Sequence, residues 1–356
     1  MKWLNRELQK QQLAKGIHNP SFNYAHLTTI QEASVLYAAL QEEKQIIVIK
    51  ENETQARALN TQMESLFPDI TTQLFLQEDS LRVEAIASSP ENHYEKMEAL
   101  YNILYHPPKL LLTTSATLMR YLASPELLKE RTTRLKIDTE IEMNDLASKL
   151  LQMGYQQVQV VEKPFTFARR GGLIDVFTIQ HPNPIRIDFF DNLIENMRFF
   201  DVETQRSLSD IQEVTLFVAS EYLTNDHQKA TIINRVNERL ALIKEKTEPS
   251  TYEILYENIY KDVDDFILNA IDARYYDLFA LSNPTHQITD FLPNAKIILS
   301  PSPTIEKSAK FFLDESVDYL ISKHQELKGL DQYDLFPRTE TIQQHKPLLF
   351  HQFQAS

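Results

Sequence analysis

The chain has 356 residues, 42% hydrophobic and 24% charged, which leaves room for one large domain or two to three ordinary ones and excludes a disordered polymer. Its formal charge of −14 repels phosphate backbones at long range, so any nucleic-acid contact needs a local basic patch. Cysteine is absent, which excludes disulfides, thiol nucleophiles and thiolate zinc sites.

The opening MKWLNRELQKQQLAKG (1–16) lacks the apolar core and cleavage site of a signal peptide. No apolar run approaches the ~20 residues that cross a bilayer, so a cytoplasmic protein without membrane contact is expected. Between 28 and 122 helix and strand patterns alternate. A helix is predicted over 30–42, then the strand QIIVIK (45–50), then a helix capped by Asn52 and reaching Phe67. A short strand over 72–76 and a polar loop through Asp79 follow. In the helix predicted over 90–105, Tyr94, Met97, Tyr101 and Leu104 recur at three- and four-residue steps. The strand KLLLTT (109–114) runs into another helix. Short, continuously apolar strands alternating with helices predict an open parallel α/β sheet.

From Thr133 the rhythm changes. A helix over 145–153, capped by Asn144 and stopped by a left-handed Gly154, leads into strands QVQVVE (157–162), LIDVF (173–177), IRIDFF (185–190) and NMRFFD (196–201). These predict a compact α+β unit with an antiparallel sheet. Beyond Leu208 long helical patterns cover 225–247, 252–277 and 303–327, with the isolated strand KIILS (296–300) between the last two. A lone strand needs partners, and the first α/β region can supply them. The expected organisation is a discontinuous α/β domain, 1–132 and 209–356, interrupted by an insert over 133–208.

Catalytic signatures are missing. A P-loop needs glycines, a lysine and a hydroxyl to cradle and neutralise phosphates, but NYAHLTTIQEASV (23–35) has neither glycine nor lysine. No Rossmann fingerprint, HExxH, GxSxG or EF-hand loop occurs, and the ten histidines lack metal-ligand spacing. His26, His93 and His106 read as surface or loop residues, and Asp264 and Asp265 as a solvated helix face. The chain is therefore expected to be no enzyme and to hold no cofactor or metal.

The insert carries the sharper signal. Strand alternation points Ile185, Ile187 and Phe189 to one side of IRIDFF, and Arg186, Asp188 and Phe190 to the other. The first set is a core face. The second mixes an arginine, an acid and an aromatic, residue types that carry binding energy at protein interfaces. The bland alternative pairs Arg186 with a neighbouring acid and packs Phe190 beneath a helix. Arg169 or Arg170 can join the same face, beside Gly171 and Gly172, where the backbone turns tightly or a partner approaches closely.

At these residues the chain resembles a known family. FARRGGLIDVF and NPIRIDFFDNLIENMRFFDVETQRSL, within 167–208, resemble the insert shared by bacterial transcription-repair coupling factors (Mfd) and the excision-repair protein UvrB, more closely the former. ASSPENHYEKMEALYNIL (87–104), LLLTTSATLMRYL (110–122) and MGYQQVQVV (153–161) extend the likeness to the coupling factor's amino-terminal region. The resemblance implies a UvrB- and helicase-like parallel-sheet domain with a degenerate P-loop at HLTTIQEAS (26–34). It implies an insert that binds UvrA, the damage-recognition ATPase, through residues matching Arg170, Arg186 and Phe190. It further implies that a complete coupling factor engages RNA polymerase and double-stranded DNA through domains absent from these 356 residues. The resemblance also implies that in the intact protein the UvrA surface is masked against the carboxy-terminal part. The expected function is a non-catalytic adaptor that recruits UvrA to stalled transcription. The rivals are a UvrB-like ATPase and a DNA-binding repair protein using Arg169, Arg170, Arg186 and Arg198.

Overall fold

The computed structural model describes residues 24–87, 89–269, 273–300, 302–338 and 348–352. The segment 1–16, on which the leader argument rests, lies outside them, as does the side chain of His26. The strands are β1 (Tyr24–Leu27), β2 (Ile46–Lys50), β3 (Thr72–Leu74), β4 (Leu110–Thr114), β5 (Thr133–Lys136), β6 (Gln156–Gln157) and β7 (Thr166–Arg170). They continue with β8 (Leu173–Phe177), β9 (Ile185–Phe190), β10 (Leu193–Phe200), β11 (Ser207–Asp210), β12 (Glu213–Leu216), β13 (Lys296–Leu299) and β14 (Leu348–Gln352).

Six strands form a parallel sheet in the order β1-β14-β13-β2-β4-β3. Its central strands β2, β4 and β13 are almost continuously apolar because both faces are buried. Ile46, Val48, Leu110, Leu112 and Ile298 enter one core, and Ile47, Ile49, Leu111, Ile297 and Leu299 enter the other. The isolated strand finds its partner here, with Ile297 of β13 opposite Ile47 of β2.

Local signals set the flanking helices. Asn52 caps Glu53–Leu66 by accepting from the Gln55 amide at 3.0 Å. The helix Pro90–Tyr105 buries Met97 and Leu104 and half-buries Tyr94 and Tyr101, as its periodicity requires. Three long helices, Asp226–Lys244, Pro249–Asn269 and Ser302–Gln325, complete the layer.

A second six-stranded sheet has the order β11-β10-β9-β8-β7-β6, antiparallel except for β6 beside β7. β5 and β12 form a separate two-stranded ribbon. Several expectations need correcting. The helix before the second sheet is Met143–Gln152, so Asn144 sits inside its first turn and is not its cap, although Gly154 does end it at φ +90°. QVQVVE is a strand only at Gln157; beyond Val158 it crosses the sheet's face, where Val161 packs with Ala168, Phe177 and Phe200. TFARR, not among the expected strands, is β7.

Candidate protein-interaction surface

Register decides which side chains share a face. Arg186 on β9 stands opposite Asp175 on β8 and Arg198 on β10, while Asp188 stands opposite Leu173, which in turn opposes Arg170. Directly opposed residues project to the same side, as do residues two apart along a strand. Arg170, Arg186 and Phe190 therefore lie on one face of the sheet. Arg169, opposite Ile174, belongs to the other. That other face is the core: Ile174, Ile185, Ile187, Ile194 and Met197 are sealed there, with Phe189 half-buried against them.

The glycine pair has a conformational task. Arg170 and Leu173 are paired, so Gly171 and Gly172 form a two-residue hairpin loop with Gly171 at φ +57°. A β-carbon on Gly172 would lie 3.2 Å from the Phe189 carbonyl, and the Gly172 carbonyl itself accepts from the Phe189 amide at 2.9 Å. The turn thus locks against β9 next to Phe190. Gly171→Ala meets open space but holds a side chain in the left-handed region, so it should lower stability by about 1–2 kcal/mol, read as a fall in the urea midpoint.

The three named residues have unequal surroundings. The Arg186 guanidinium grips Asp175 with two hydrogen bonds, Nε to Oδ1 at 2.7 Å and Nη2 to Oδ2 at 2.8 Å, and lies 4.5 Å from the Phe200 ring centroid. Hydrogen bonding to Asp175 raises its pKa above the ordinary arginine value. Its side chain is only 15% exposed and that of Asp175 4%, so the pair is largely internal. Arg198 is likewise bound to Asp188, Nη2 to Oδ1 at 3.2 Å. Phe190 is 66% exposed at the end of β9, where the hairpin loop passes through Asp191 at φ +53°. Arg170 is exposed and donates to the Gln159 carbonyl at 2.8 Å. Half of the bland alternative holds: Arg186 does pair with an acid, but no helix covers Phe190.

At the position of a P-loop the chain builds something else. Thr28 and Gln31 form a reciprocal capping box at the start of the helix Thr29–Ala39. One turn on, Glu32 is fully buried and accepts from Lys50 Nζ at 3.0 Å through both oxygens, while the same ammonium donates to Ser300 Oγ at 3.2 Å. Burial lowers the pKa of Lys50, against the pull of Glu32. The ion pair fills this helix start and leaves Lys50 committed to Glu32 and Ser300, where a P-loop would keep a lysine for phosphate.

A second buried ionic group links the helices Leu81–Ala87 and Pro90–Tyr105 to Arg120 and Glu221. Lys96 donates to Glu84 at 2.7 Å and pairs with Glu221, and Arg120 pairs with Glu84 and donates to the Glu78 carbonyl at 2.8 Å. Composition gives no hint of it; the clue is a charge inside an apolar run, as Glu221 in LFVASEYL (216–223). His93, read as surface, is half-buried instead, with Nε2 2.8 Å from the Ala219 carbonyl and its ring edge-on to Phe165. His106 is exposed as expected, and so is Asp264, whereas Asp265 accepts from the Tyr275 hydroxyl at 3.3 Å. Among the described residues no group of three or more His, Asp or Glu could hold a metal, and no helix is long and apolar enough to cross a membrane.

Comparison with known proteins agrees with the resemblance read from 167–208. The UvrB interaction domain family matches residues 133–222. The chain is 26% identical over 327 residues to the transcription-repair-coupling factor of Bacillus subtilis (strain 168), covering 89% of this chain and 28% of that protein. It is 26% identical over 289 residues to the transcription-repair-coupling factor of Staphylococcus haemolyticus (strain JCSC1435), covering 79% and 24%. With that of Staphylococcus aureus (strain bovine RF122 / ET3-1) it shares 26% over 288 residues, 79% and 24%. The chain thus spans about a quarter of the length of the curated relatives it matches.

Proposed function

We propose that this chain is a non-catalytic adaptor in transcription-coupled DNA repair, and that it recruits UvrA through the outer face of its second sheet. One observation carries the reading: register gathers Arg170, Arg186 and Phe190 on a single face, and leaves the aromatic ring of Phe190 bare beside a glycine turn. An exposed aromatic beside basic and acidic groups can serve as a docking anchor, and the glycine loop lets a partner's backbone come close. In this arrangement Phe190 and Arg170 touch UvrA, while Arg186, held by Asp175, stiffens the strand that presents them.

The rivals have weaker support. Nucleotide binding at the P-loop position would need a cation for the phosphates, but Lys50, the lysine there, is sealed in and already held by Glu32 and Ser300. DNA binding through Arg169, Arg170, Arg186 and Arg198 would rely on Arg186 and Arg198, already neutralised by Asp175 and Asp188, and on Arg169, which belongs to the opposite face, leaving Arg170 alone exposed on this one. Engagement of RNA polymerase and double-stranded DNA is assigned to the parts of a coupling factor that this chain does not span. A cytoplasmic setting follows from the repair role. Immobilised chain should retain purified UvrA, and the Phe190→Ala variant should not. Equal retention by both would remove the surface from the account.

A further inference from the structure

A groove elsewhere on the molecule has the opposite electrostatic character to the chain as a whole. It lies between the helices Leu81–Ala87, Pro249–Asn269 and Ser302–Gln325 and the turn Ala273–Tyr275, with a volume of about 380 Å³. Arg82, Lys261, Arg274, Lys323 and Lys328 line it, against the two acids Asp262 and Glu326. Its net charge is therefore positive in a chain whose total is −14. Concave walls of low dielectric focus such a field instead of letting it be screened.

The cations differ in availability. Lys323 is a fixed floor, donating to Asp277 at 2.8 Å and to the Arg274 carbonyl at 3.2 Å. Lys328 is shared with Glu326 on the rim. Arg82 is exposed but held in place, with its guanidinium 5.6 Å from the Tyr319 ring centroid and Nη2 donating to Ser322 Oγ at 3.1 Å. A guanidinium fixed over a ring keeps its remaining N–H groups pre-aimed. Lys261 is exposed and forms no hydrogen bond or ion pair with the described residues.

We infer that this groove binds a phosphate-bearing ligand of about nucleotide size, with Arg82 and Lys261 supplying the principal contacts. The space lies within the ~300–1,000 Å³ of small-molecule sites. Cations contributed from several elements around a hollow suit a compact anion with several charges better than a long helix or strand, which would need a linear row. The site lies apart from the face assigned to UvrA, so its test is independent of that proposal.

The test uses the whole chain, wild type and the Arg82→Glu/Lys261→Glu double variant, both changes being at exposed positions. Pyrophosphate is titrated calorimetrically at constant ionic strength. A short fluorescein-labelled single-stranded oligonucleotide is followed by anisotropy over a range of salt. Pyrophosphate binding that weakens at least about tenfold in the variant supports the site. Oligonucleotide binding without pyrophosphate binding, with a salt slope that falls by about 0.7 for each cation removed, means that the groove follows a strand and overturns the compact ligand. The inference is overturned if neither probe binds, if the variant binds as well as wild type, or if an oligoglutamate peptide binds the groove more tightly than both.

Discussion

Lys96→Met should destabilise this chain by about 3–5 kcal/mol, measured by urea unfolding at neutral pH. Lys96 is 7% exposed and ties together Glu84 and Glu221, themselves 7% and 1% exposed. Methionine fills a similar volume, so packing is nearly conserved and the loss comes from carboxylate charge left without its partner. The pH dependence identifies the cause. Burial pushes the Glu221 pKa up, but Lys96 and His93 outweigh it and hold the group below the ordinary carboxylate value of 4.5. In the wild type this stabilisation is therefore present above pH about 4.5 and lost as the pH falls through the folded-state value. In the variant the pull of Lys96 is gone and burial is opposed only by His93 and a backbone hydrogen bond, so the folded-state pKa rises and less stability is lost in mild acid than in the wild type. A loss under about 1 kcal/mol, or an unchanged pH slope, would show that the network carries little.

Arg186→Ala should also cost stability, on the order of 3 kcal/mol, because it strands Asp175 in a site where its side chain is only 4% exposed. It also uncovers Phe200, over which the guanidinium lies. Any fall in UvrA binding by this variant consequently mixes a lost contact with a loosened strand. Arg186→Ala/Asp175→Ala separates the two: removing both partners should recover much of the stability, since the uncompensated charge is gone. A single variant as stable as wild type would mean that the pair contributes nothing and that Arg186 is free to serve the interface.

The parallel sheet was legible because it is written locally. Continuous apolar runs such as IIVI and LLL, the cap at Asn52 and the 3.6-residue stripe through Met97 each specify an element without knowledge of the rest. Alternation in IRIDFF likewise separates its two faces, and register puts Arg170, not Arg169, on the side of Phe190. What was not legible depends on pairing across distance. Nothing in IRIDFF announces that Asp175, one acid inside LIDVF, will stand opposite Arg186, because register between strands fixes that partnership. β7 was missed because TFARR has no apolar run of its own; pairing with the neighbouring strand makes it extended. QVQVVE has strand composition but is displaced onto the sheet's outer face, where Val161 joins Phe177 and Phe200. The buried ion pairs leave only a faint trace in the sequence, a charge inside an apolar run such as Glu221 in LFVASEYL, since charged residues default to solvent.

Phe190 isolates the central claim, because at 66% exposed it has little structural work and its truncation should change stability by less than about 0.5 kcal/mol. Titrating purified UvrA against wild type and Phe190→Ala, alongside melting curves of both, is the most direct measurement. The expected result is a Kd weakened roughly thirtyfold or more with the melting midpoint unmoved. Full affinity in the variant, or an affinity lost only together with the fold, would contradict a docking role for this face.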